Sequence, residues 1–268
     1  MNRHIEISGL SIYPVKALQG IDLQESSITP FGLEYDRRYM LTTSDGTFIS
    51  QRSYPALATF SVAADASSLL ISHASAGTIT IPLSGPQHAN SRAKIWNDDV
   101  AAFSGFEEAD EYFSEALDED IRLVWMPNAS LRQADLEYSE RGDRVSFADG
   151  YPVLLLGESS IADLNERLKS PVPMNRFRPN VVVRGSLAWE EDSWTRIDTK
   201  EASLRLVKPC ARCAVTTTDQ STGETSKEPL ATLATFRKRD SKVWVGMNCI
   251  PDADRMGVIR VGDIINAT

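Results

Sequence analysis

The chain has 268 residues, of which 42% are hydrophobic and 24% are charged, and its formal net charge is −9 at pH 7. This length is enough for a full hydrophobic core in one large or two modest domains. The negative charge disfavours binding to nucleic acid or anionic lipid, and the sequence has no apolar run of about 18 residues that would predict a membrane span.

The first hundred residues are predicted to form short strands between turns. Segments 38–43 and 47–50 flank Asp45-Gly46, a pair that favours a tight hairpin because glycine adopts positive φ at little cost. The apolar segments 69–71 and 78–81 predict a second pair of strands. This part of the sequence therefore predicts a β-rich unit.

An acidic helix is predicted over Glu107–Leu117, where Phe113 and Leu117 lie four residues apart on one face. This helix closes the first unit, and the chain resumes with a predicted strand over Ile121–Trp125. The polar stretch 130–143 that follows is expected to form a mobile loop.

The second half begins with the apolar segment 152–156, which is short enough to be a buried strand. A helix over 160–168 is predicted next, because Ser160 and Asp163 form a capping-box pattern and apolar residues recur at helical spacing. The remaining predicted elements are strands at Val181–Arg184 and 204–207 and a short helix at 228–237.

Strands outnumber helices in this pattern, and neither half shows the strict alternation of strands and helices that a parallel sheet requires. We therefore predict a mainly β fold with some α (α+β). It consists of a β-barrel-like unit at residues 1–118 and a β-barrel domain at residues 119–268, with a few covering helices.

The run Cys210-Ala211-Arg212-Cys213 is predicted to lie in a loop, because a strand-like segment precedes it and a β-branched run follows it. The Thr run after Cys213 is a poor start for a helix, which disfavours a thioredoxin-type pair. A zinc ribbon is disfavoured because Cys249 is the only other cysteine and the three histidines are far apart in sequence. A thiolate beside Arg212 suits a transition metal carried by an anionic cofactor.

The three cysteines also indicate a compartment. The N terminus has no apolar stretch of signal-peptide length, so we expect free thiols in a reducing environment. The sequence therefore predicts a cytoplasmic protein.

Three short clusters of cationic residues accompany the thiols. Lys16 ends a strand-like segment, and Arg37 follows Asp36. Arg178 lies two residues before Asn180. Taken singly, Lys16 is better explained as a solvated strand end and Asp36-Arg37 as a surface ion cluster. The cluster at Arg178 fits structural capping and anion binding equally well. In an acidic chain, however, a site lined by Arg and Lys beside a thiol suits a phosphorylated, metal-bearing cofactor.

Five motifs follow one another along most of the chain. They are Tyr13-Pro14-Val15-Lys16, Asp36-Arg37, Ser146-Phe147-Ala148-Asp149-Gly150-Tyr151-Pro152, Asn175-Arg176-Phe177-Arg178-Pro179-Asn180 and Cys210-Ala211-Arg212-Cys213. In content and order they resemble the motifs of MOSC-domain proteins, in particular the bacterial YcbX type and the mitochondrial amidoxime-reducing component. The resemblance extends from about Ile7 to Asp263.

This resemblance implies an N-terminal MOSC β-barrel unit, a MOSC domain and a bound molybdenum cofactor (Mo-molybdopterin). It implies that the thiolate of Cys213 is the metal ligand and the catalytic residue. Lys16, Arg37 and Arg178 would hold the phosphate and the pterin. The other cofactor-binding positions that it implies are Asp149, Gly150, Tyr151, Asn180, Ala211, Arg212 and Asn248.

The resemblance also implies an oxidoreductase that reduces small N-hydroxylated compounds, such as amidoximes, hydroxylamines or N-hydroxylated base analogues. Longer YcbX-type proteins carry a ferredoxin domain beyond the MOSC domain, and this sequence does not, so a separate ferredoxin- or flavoprotein-type partner is expected to supply electrons. Two alternatives stay open: a non-catalytic carrier of the cofactor or of sulfur, and a barrel protein that has lost its cofactor.

Overall fold

The computed structural model describes residues 4–85 and 91–268. These residues form nineteen strands and three short helices, which confirms the predicted mainly β class. The strands of the first half are β1 (Glu6–Ile12), β2 (Ile21–Leu23), β3 (Glu25–Thr29), β4 (Gly32–Leu33), β5 (Tyr39–Thr43), β6 (Ser61–Ala64), β7 (Ser68–His73), β8 (Gly77–Pro82), β9 (Ser91–Ile95) and β10 (Asp98–Ala102).

The second half contributes nine of these strands. They are β11 (Ile121–Trp125), β12 (Val153–Gly157), β13 (Val181–Arg184), β14 (Arg196–Asp198), β15 (Ser203–Arg212), β16 (Lys238–Arg239), β17 (Lys242–Pro251), β18 (Val258–Arg260) and β19 (Asn266–Ala267). The helices are α1 (Glu107–Leu117), α2 (Glu158–Arg167) and α3 (Leu230–Leu233), and 3₁₀ turns form at Pro55–Thr59, Met174–Phe177, Glu190–Ser193 and Ala214–Thr217.

The largest sheet has nine strands and provides one wall of the cavity described below. Its order is β19-β14-β15-β17-β12-β13-β1-β2, with β16 paired to β17, so the path is open and has β19 and β2 at its edges. Every residue of β12 is buried, which explains why its sequence is a continuous apolar run.

The sequence pattern does not predict a parallel sheet, and one pair among the described strands is nevertheless parallel. β12 and β13 run parallel, with Leu155 opposite Val181, and α2 lies in the connection between them. That connection is long enough to carry the chain back across the sheet as a helical crossover. The predicted capping box is wrong, because α2 begins at Glu158 and Ser160 Oγ instead donates to the buried carboxylate of Glu191 at 2.7 Å.

A second core lies between the smaller sheets, and Tyr39, Phe60 and Phe113 are fully buried in it. The predicted helix at Glu107–Leu117 is confirmed as α1, and the predicted strands at 69–71 and 78–81 lie within the antiparallel pair β7 and β8. The tight turn at Asp45-Gly46 forms, and segment 47–50 returns along β5: Phe48 forms an isolated bridge with Thr42, and the N–H of Ile49 donates to the carbonyl oxygen of Leu41. β5 also pairs with β11.

The predicted boundary at residue 118 is crossed by strand pairs in both directions. β1 joins the large sheet through β13, whereas β11 pairs with β5 and β18 pairs with β3. The two-domain division therefore stays a prediction. In the described ranges, no helix combines the length and the apolar character needed to cross a bilayer.

One predicted loop agrees with the structure, and one predicted helix is only partly present. Residues 130–143 contain no helix and no named strand, as predicted, and Arg205 of β15 holds this loop by ion pairs to Glu140 and Asp143 at 2.9 and 2.6 Å. The helix predicted at 228–237 is shorter than expected, since α3 covers only Leu230–Leu233.

Candidate functional site

All eleven residues that the sequence singled out line one cavity of about 140 Å³. They come from both halves of the chain: Ala211, Arg212 and Asn248 lie on strands, and the other eight lie in turns and loops. The eleven are Lys16, Arg37, Asp149, Gly150, Tyr151, Arg178, Asn180, Ala211, Arg212, Cys213 and Asn248.

The two thiols of the motif occupy different positions at the end of β15. The prediction that both lie in a loop is wrong, because β15 continues through Cys210 to Arg212, opposite Val243 of β17. Cys213 is the first residue beyond the strand, and it precedes the 3₁₀ turn formed by the Thr-rich segment. Cys249 is fully buried in β17, and burial raises the pKa of its thiol far above the usual range.

An arginine that the sequence analysis missed contacts Cys213. Arg52 Nη2 lies 3.3 Å from Cys213 Sγ and 3.9 Å from Asp149 Oδ2. The guanidinium of Arg52 stacks on Trp96, with 4.4 Å between its Cζ and the ring centroid. A second guanidinium holds the other thiol, since Arg212 Nη1 lies 3.1 Å from Cys210 Sγ.

Lys16 and Asp149 form an ion pair at the cavity wall. Lys16 Nζ donates to Asp149 Oδ1 at 2.5 Å and to the carbonyl oxygen of Phe147 at 2.8 Å. Burial lowers the pKa of Lys16 even though Asp149 opposes the effect. Desolvation in the cavity would raise the pKa of Asp149, but the charge and hydrogen bond of Lys16, together with the charges of Arg52 and Arg37, outweigh it and hold that pKa well below its usual range. The Asp149 side chain is 63% exposed, so solvent screens the pair and an incoming anion has access to it.

The loop that carries Asp149 is fixed by Arg132, which the sequence analysis placed in a polar stretch without a role. Arg132 is buried, and its guanidinium donates to the carbonyl oxygens of Ser146, Ala148 and Asp149 at 2.8, 2.5 and 2.8 Å. Three carbonyls on one guanidinium give this segment a single conformation. No local pattern marks Arg132, because it contacts the backbone carbonyls of residues that lie 14 to 17 positions further along the chain.

Arg37 and Arg178 stack on the ring of Tyr13, with Cζ atoms 4.5 and 4.1 Å from its centroid. Both have left-handed backbone, with φ of 50° and 54°. For Arg37, burial would lower the pKa, but the Asp36 carboxylate at 2.5 Å raises it above the ordinary value. Arg178 has no such carboxylate, so burial lowers its pKa to about 10.

Asn180 lines the cavity but uses its amide group within the protein. Its Oδ1 accepts hydrogen bonds from Arg37 Nη1 and from the backbone N–H of Leu154, both at 3.1 Å, and its Nδ2 donates to the carbonyl oxygen of Ser11. Asn180 is 1% exposed. The side chain therefore positions Arg37, and direct contact with a cofactor stays a prediction for this residue.

A reciprocal amide pair joins the two halves behind the cavity. Gln51 and Gln220 exchange hydrogen bonds at 3.1 and 2.9 Å, and Gln220 Oε1 also accepts from Arg178 Nη1 at 3.2 Å. Both glutamines are buried. The segment that carries Arg52 is therefore fixed directly to the segment that follows Cys213. No local sequence pattern predicts this pair, because its members are 169 residues apart.

Three buried polar atoms of the cavity residues lack hydrogen-bond partners among the described parts of the chain. They are Tyr151 Oη, Arg178 Nη2 and Arg212 Nε. The two arginine nitrogens can only donate, and a buried donor without a partner costs about 1–3 kcal/mol. They fit a ligand rich in anionic and carbonyl oxygens, and the nearby Cys213 sulfur fits a soft metal. The donor set is therefore suited to a phosphorylated cofactor that carries a metal such as molybdenum.

Comparison with known proteins agrees with this chemistry. The family profile described as "MOSC N-terminal beta barrel domain" matches residues 4–120, and the profile described as "MOSC domain" matches residues 142–266. Mitochondrial amidoxime-reducing component 1 of Xenopus laevis is 30% identical over 277 residues, covering 96% of this chain and 80% of the relative. The Homo sapiens protein of that name is 31% identical over 246 residues, covering 87% and 72%.

Two further matches are more partial. A molybdenum cofactor sulfurase of Oryza sativa subsp. japonica is 29% identical over 264 residues, covering 91% of this chain and 32% of the relative. The crystal structure of YiiM from Geobacillus stearothermophilus covers 44% of this chain and 54% of its own, with 16% identity and a TM-score of 0.32. That structural similarity is too low to inform the fold.

Proposed function

This chain belongs to the MOSC-domain family that includes the mitochondrial amidoxime-reducing components, and we propose that it is a molybdenum-cofactor-dependent oxidoreductase that reduces N-hydroxylated compounds. The observation that carries the proposal is the cavity in which the Cys213 thiol adjoins buried guanidinium groups with unpartnered donors. The reaction breaks the N–O bond of the substrate and forms an N–H bond. It consumes two electrons and two protons and releases water.

The cavity residues divide the work of holding the cofactor. Cys213 supplies a soft thiolate for the metal. Lys16, Arg37 and Arg178 supply fixed positive charge for the phosphate, and the planar guanidinium groups allow bidentate contacts. When bound, the cofactor supplies a metal that changes oxidation state as an oxygen atom is transferred.

The protein prepares these contacts before the cofactor arrives. Asp36 and Asn180 fix the Arg37 guanidinium, and Tyr13 supports Arg37 and Arg178 from one side. The exposed carboxylate of Asp149 pairs with Lys16 in the free protein. A phosphate competes for Lys16 with this screened pair, so the exchange costs little.

Each turnover consumes two electrons, and we expect a separate protein of the ferredoxin or flavoprotein type to supply them. We also propose that the protein works in the cytoplasm, where its three free thiols remain reduced.

The test uses protein purified from a host that makes the molybdenum cofactor. Molybdenum content is measured first, and the reduction of benzamidoxime is then followed with a chemically reduced dye as electron donor. We expect stoichiometric molybdenum and dye-dependent formation of benzamidine. Bound molybdenum without any reduction would refute the enzymatic proposal and support a carrier of the cofactor or of sulfur.

A further inference from the structure

Arg52 is the cavity guanidinium that faces the open side. Its side chain is 35% exposed, whereas those of Arg37 and Lys16 are 13% and 8% exposed. Its Nη2 contacts the sulfur of Cys213, yet Arg52 belongs to none of the five motifs. The residue therefore lies beside the proposed metal ligand without being buried among the phosphate-binding cations.

Trp96 holds Arg52 in this place from the turn between β9 and β10. Trp96 has left-handed backbone with φ of 53°, which is an unfavourable conformation for a bulky residue, and its side chain is 44% exposed. One neighbour of its ring is Arg52, and another is Phe48, with 4.8 Å between centroids. The unfavourable backbone conformation of Trp96 is therefore not compensated by deep burial of its ring. What this conformation does provide is a stacking surface for the Arg52 guanidinium.

The neighbouring backbone of Arg52 is fixed as well. Gln51 is 2% exposed and is joined to Gln220, while the N–H of Tyr54 donates to the carbonyl oxygen of Ser50 at 2.9 Å. Among the described residues, the Nε and Nη1 groups of Arg52 donate no hydrogen bond. A preorganised guanidinium therefore presents free donors next to Cys213 on the exposed side of the cavity.

We propose that Arg52 is a specificity-determining residue that binds the oxygen of the substrate's N–O group and selects neutral or anionic substrates over cationic ones. This inference rests on the proposed function. An arginine with free N–H groups donates to an oxygen acceptor, and its fixed positive charge repels a cationic substrate. Trp96 is the positioning residue, because the stacked ring limits where the guanidinium can go.

The test uses three benzamidoximes with the same N–O group: the parent compound, one with a ring carboxylate and one with a ring trimethylammonium group. For each, kcat and KM are measured with a reduced dye, and dissociation constants are measured by calorimetry on oxidised holoprotein without a donor. Wild type should favour the carboxylate compound over the trimethylammonium compound. Arg52→Gln should lower this preference about tenfold, mainly through KM, and should leave the molybdenum content unchanged. Arg52→Lys should keep part of it.

Arg92→Gln is the matched control, because Arg92 lies on β9, is 62% exposed and does not line the cavity. It changes the net charge equally and should leave the preference unchanged. An unchanged preference in Arg52→Gln would overturn the assignment, and so would an equal fall in Arg92→Gln or a loss of molybdenum that accounts for the defect. If wild type reduces none of the compounds, the proposed function fails. The dissociation constants from calorimetry still decide whether Arg52 discriminates between substrates by their charge.

Discussion

Replacing Arg178 should have opposite effects on the cofactor-free and cofactor-loaded protein. The guanidinium is 9% exposed, and its Nη1 donates to Gln220 while its Nη2 has no partner among the described residues. Its position suits an anion that is absent from the cofactor-free protein. Arg178→Met removes the charge and keeps much of the apolar volume against Tyr13.

The magnitude follows from the pKa of Arg178, which burial lowers to about 10. A shift of this size corresponds to about 3 kcal/mol of unfavourable free energy. The folded-state pKa lies below the unfolded value and both lie above 7, so the full penalty is present at neutral pH and is relieved only above about pH 10. The stacking on Tyr13 and the hydrogen bond to Gln220 offset about 1–2 kcal/mol. Arg178→Met should therefore stabilise the cofactor-free protein by about 1–2 kcal/mol.

The assay is urea unfolding of cofactor-free protein, paired with the molybdenum content of protein made in a cofactor-producing host. Molybdenum retention should fall about tenfold to a hundredfold, because charge-assisted hydrogen bonds to the phosphate are lost. The matched control is Arg38→Met. Arg38 is 7% exposed, and burial lowers its pKa to about 10 as well.

Arg38 differs from Arg178 in that its donors are used. It donates to the carbonyl oxygen of Met126 and to Asn128 Oδ1, and it lies over the rings of Phe31 and Trp125. Removing it leaves a buried carbonyl without a partner, so Arg38→Met should destabilise the protein by about 1–3 kcal/mol and leave cofactor affinity unchanged. A loss of stability in Arg178→Met comparable to that in Arg38→Met would refute the reasoning, as would undiminished molybdenum.

Three further predictions address the thiols, the electron source and an acidic turn. Cys213→Ser replaces a soft anionic donor by a hydroxyl that stays protonated, so reductase activity should vanish. Cys210→Ser should keep much of the activity and the molybdenum. Equal losses in the two variants would argue against Cys213 as the sole protein ligand. With a reduced nicotinamide as the sole electron donor, the protein should be nearly inactive, and it should gain activity when a flavoprotein, an iron–sulfur protein or a reduced dye is added. Robust turnover with the nicotinamide in a preparation free of other proteins would contradict this prediction. Hydrogen bonds from Ser221 lower the pKa of Asp219 to about 2, so the stabilisation by this carboxylate is complete above pH 4 and disappears as pH falls through about 2. In urea unfolding, Asp219→Asn should be about 1–2 kcal/mol less stable than wild type at pH 7 and equal to it near pH 2. A difference that does not depend on pH would exclude this cause.

The elements that the sequence predicted well are those with a complete local pattern. Helix α1 has acidic residues in its first turn and buried residues on one face, and its predicted bounds agree with the structure. The end of β15 was predicted wrongly because the strand-like segment 204–207 stops before Pro209, which indicates that the strand ends there. β15 continues because its ladder with β17 is irregular on either side of Lys208 and Pro209, and a bulge accommodates a proline that cannot donate to the ladder.

The candidate site shows the same division between local and distant information. Ten of the eleven predicted residues lie in the five short motifs, with Asn248 as the exception, and all eleven line the cavity. Arg52 contacts Cys213 across 161 positions, and no local pattern distinguishes it from other surface arginines. Trp96 gave no signal either, because its positive φ is set by the turn between β9 and β10 rather than by its residue type.

The placement of these residues links cofactor binding to the stability of the whole chain. Arg37 and Arg52 precede the predicted boundary at residue 118, and Arg178 and Cys213 follow it. A ligand that contacts both groups binds the folded chain and not the unfolded chain. Its binding free energy therefore adds to the stability of the contacts between the two halves. The unpartnered donors of Arg178 and Arg212 act in the opposite direction while the cavity lacks a ligand. The contacts between the two halves are thus less stable while the cavity is empty. Cofactor loading should therefore raise the protein's midpoint of thermal unfolding more than the burial of the ligand alone would.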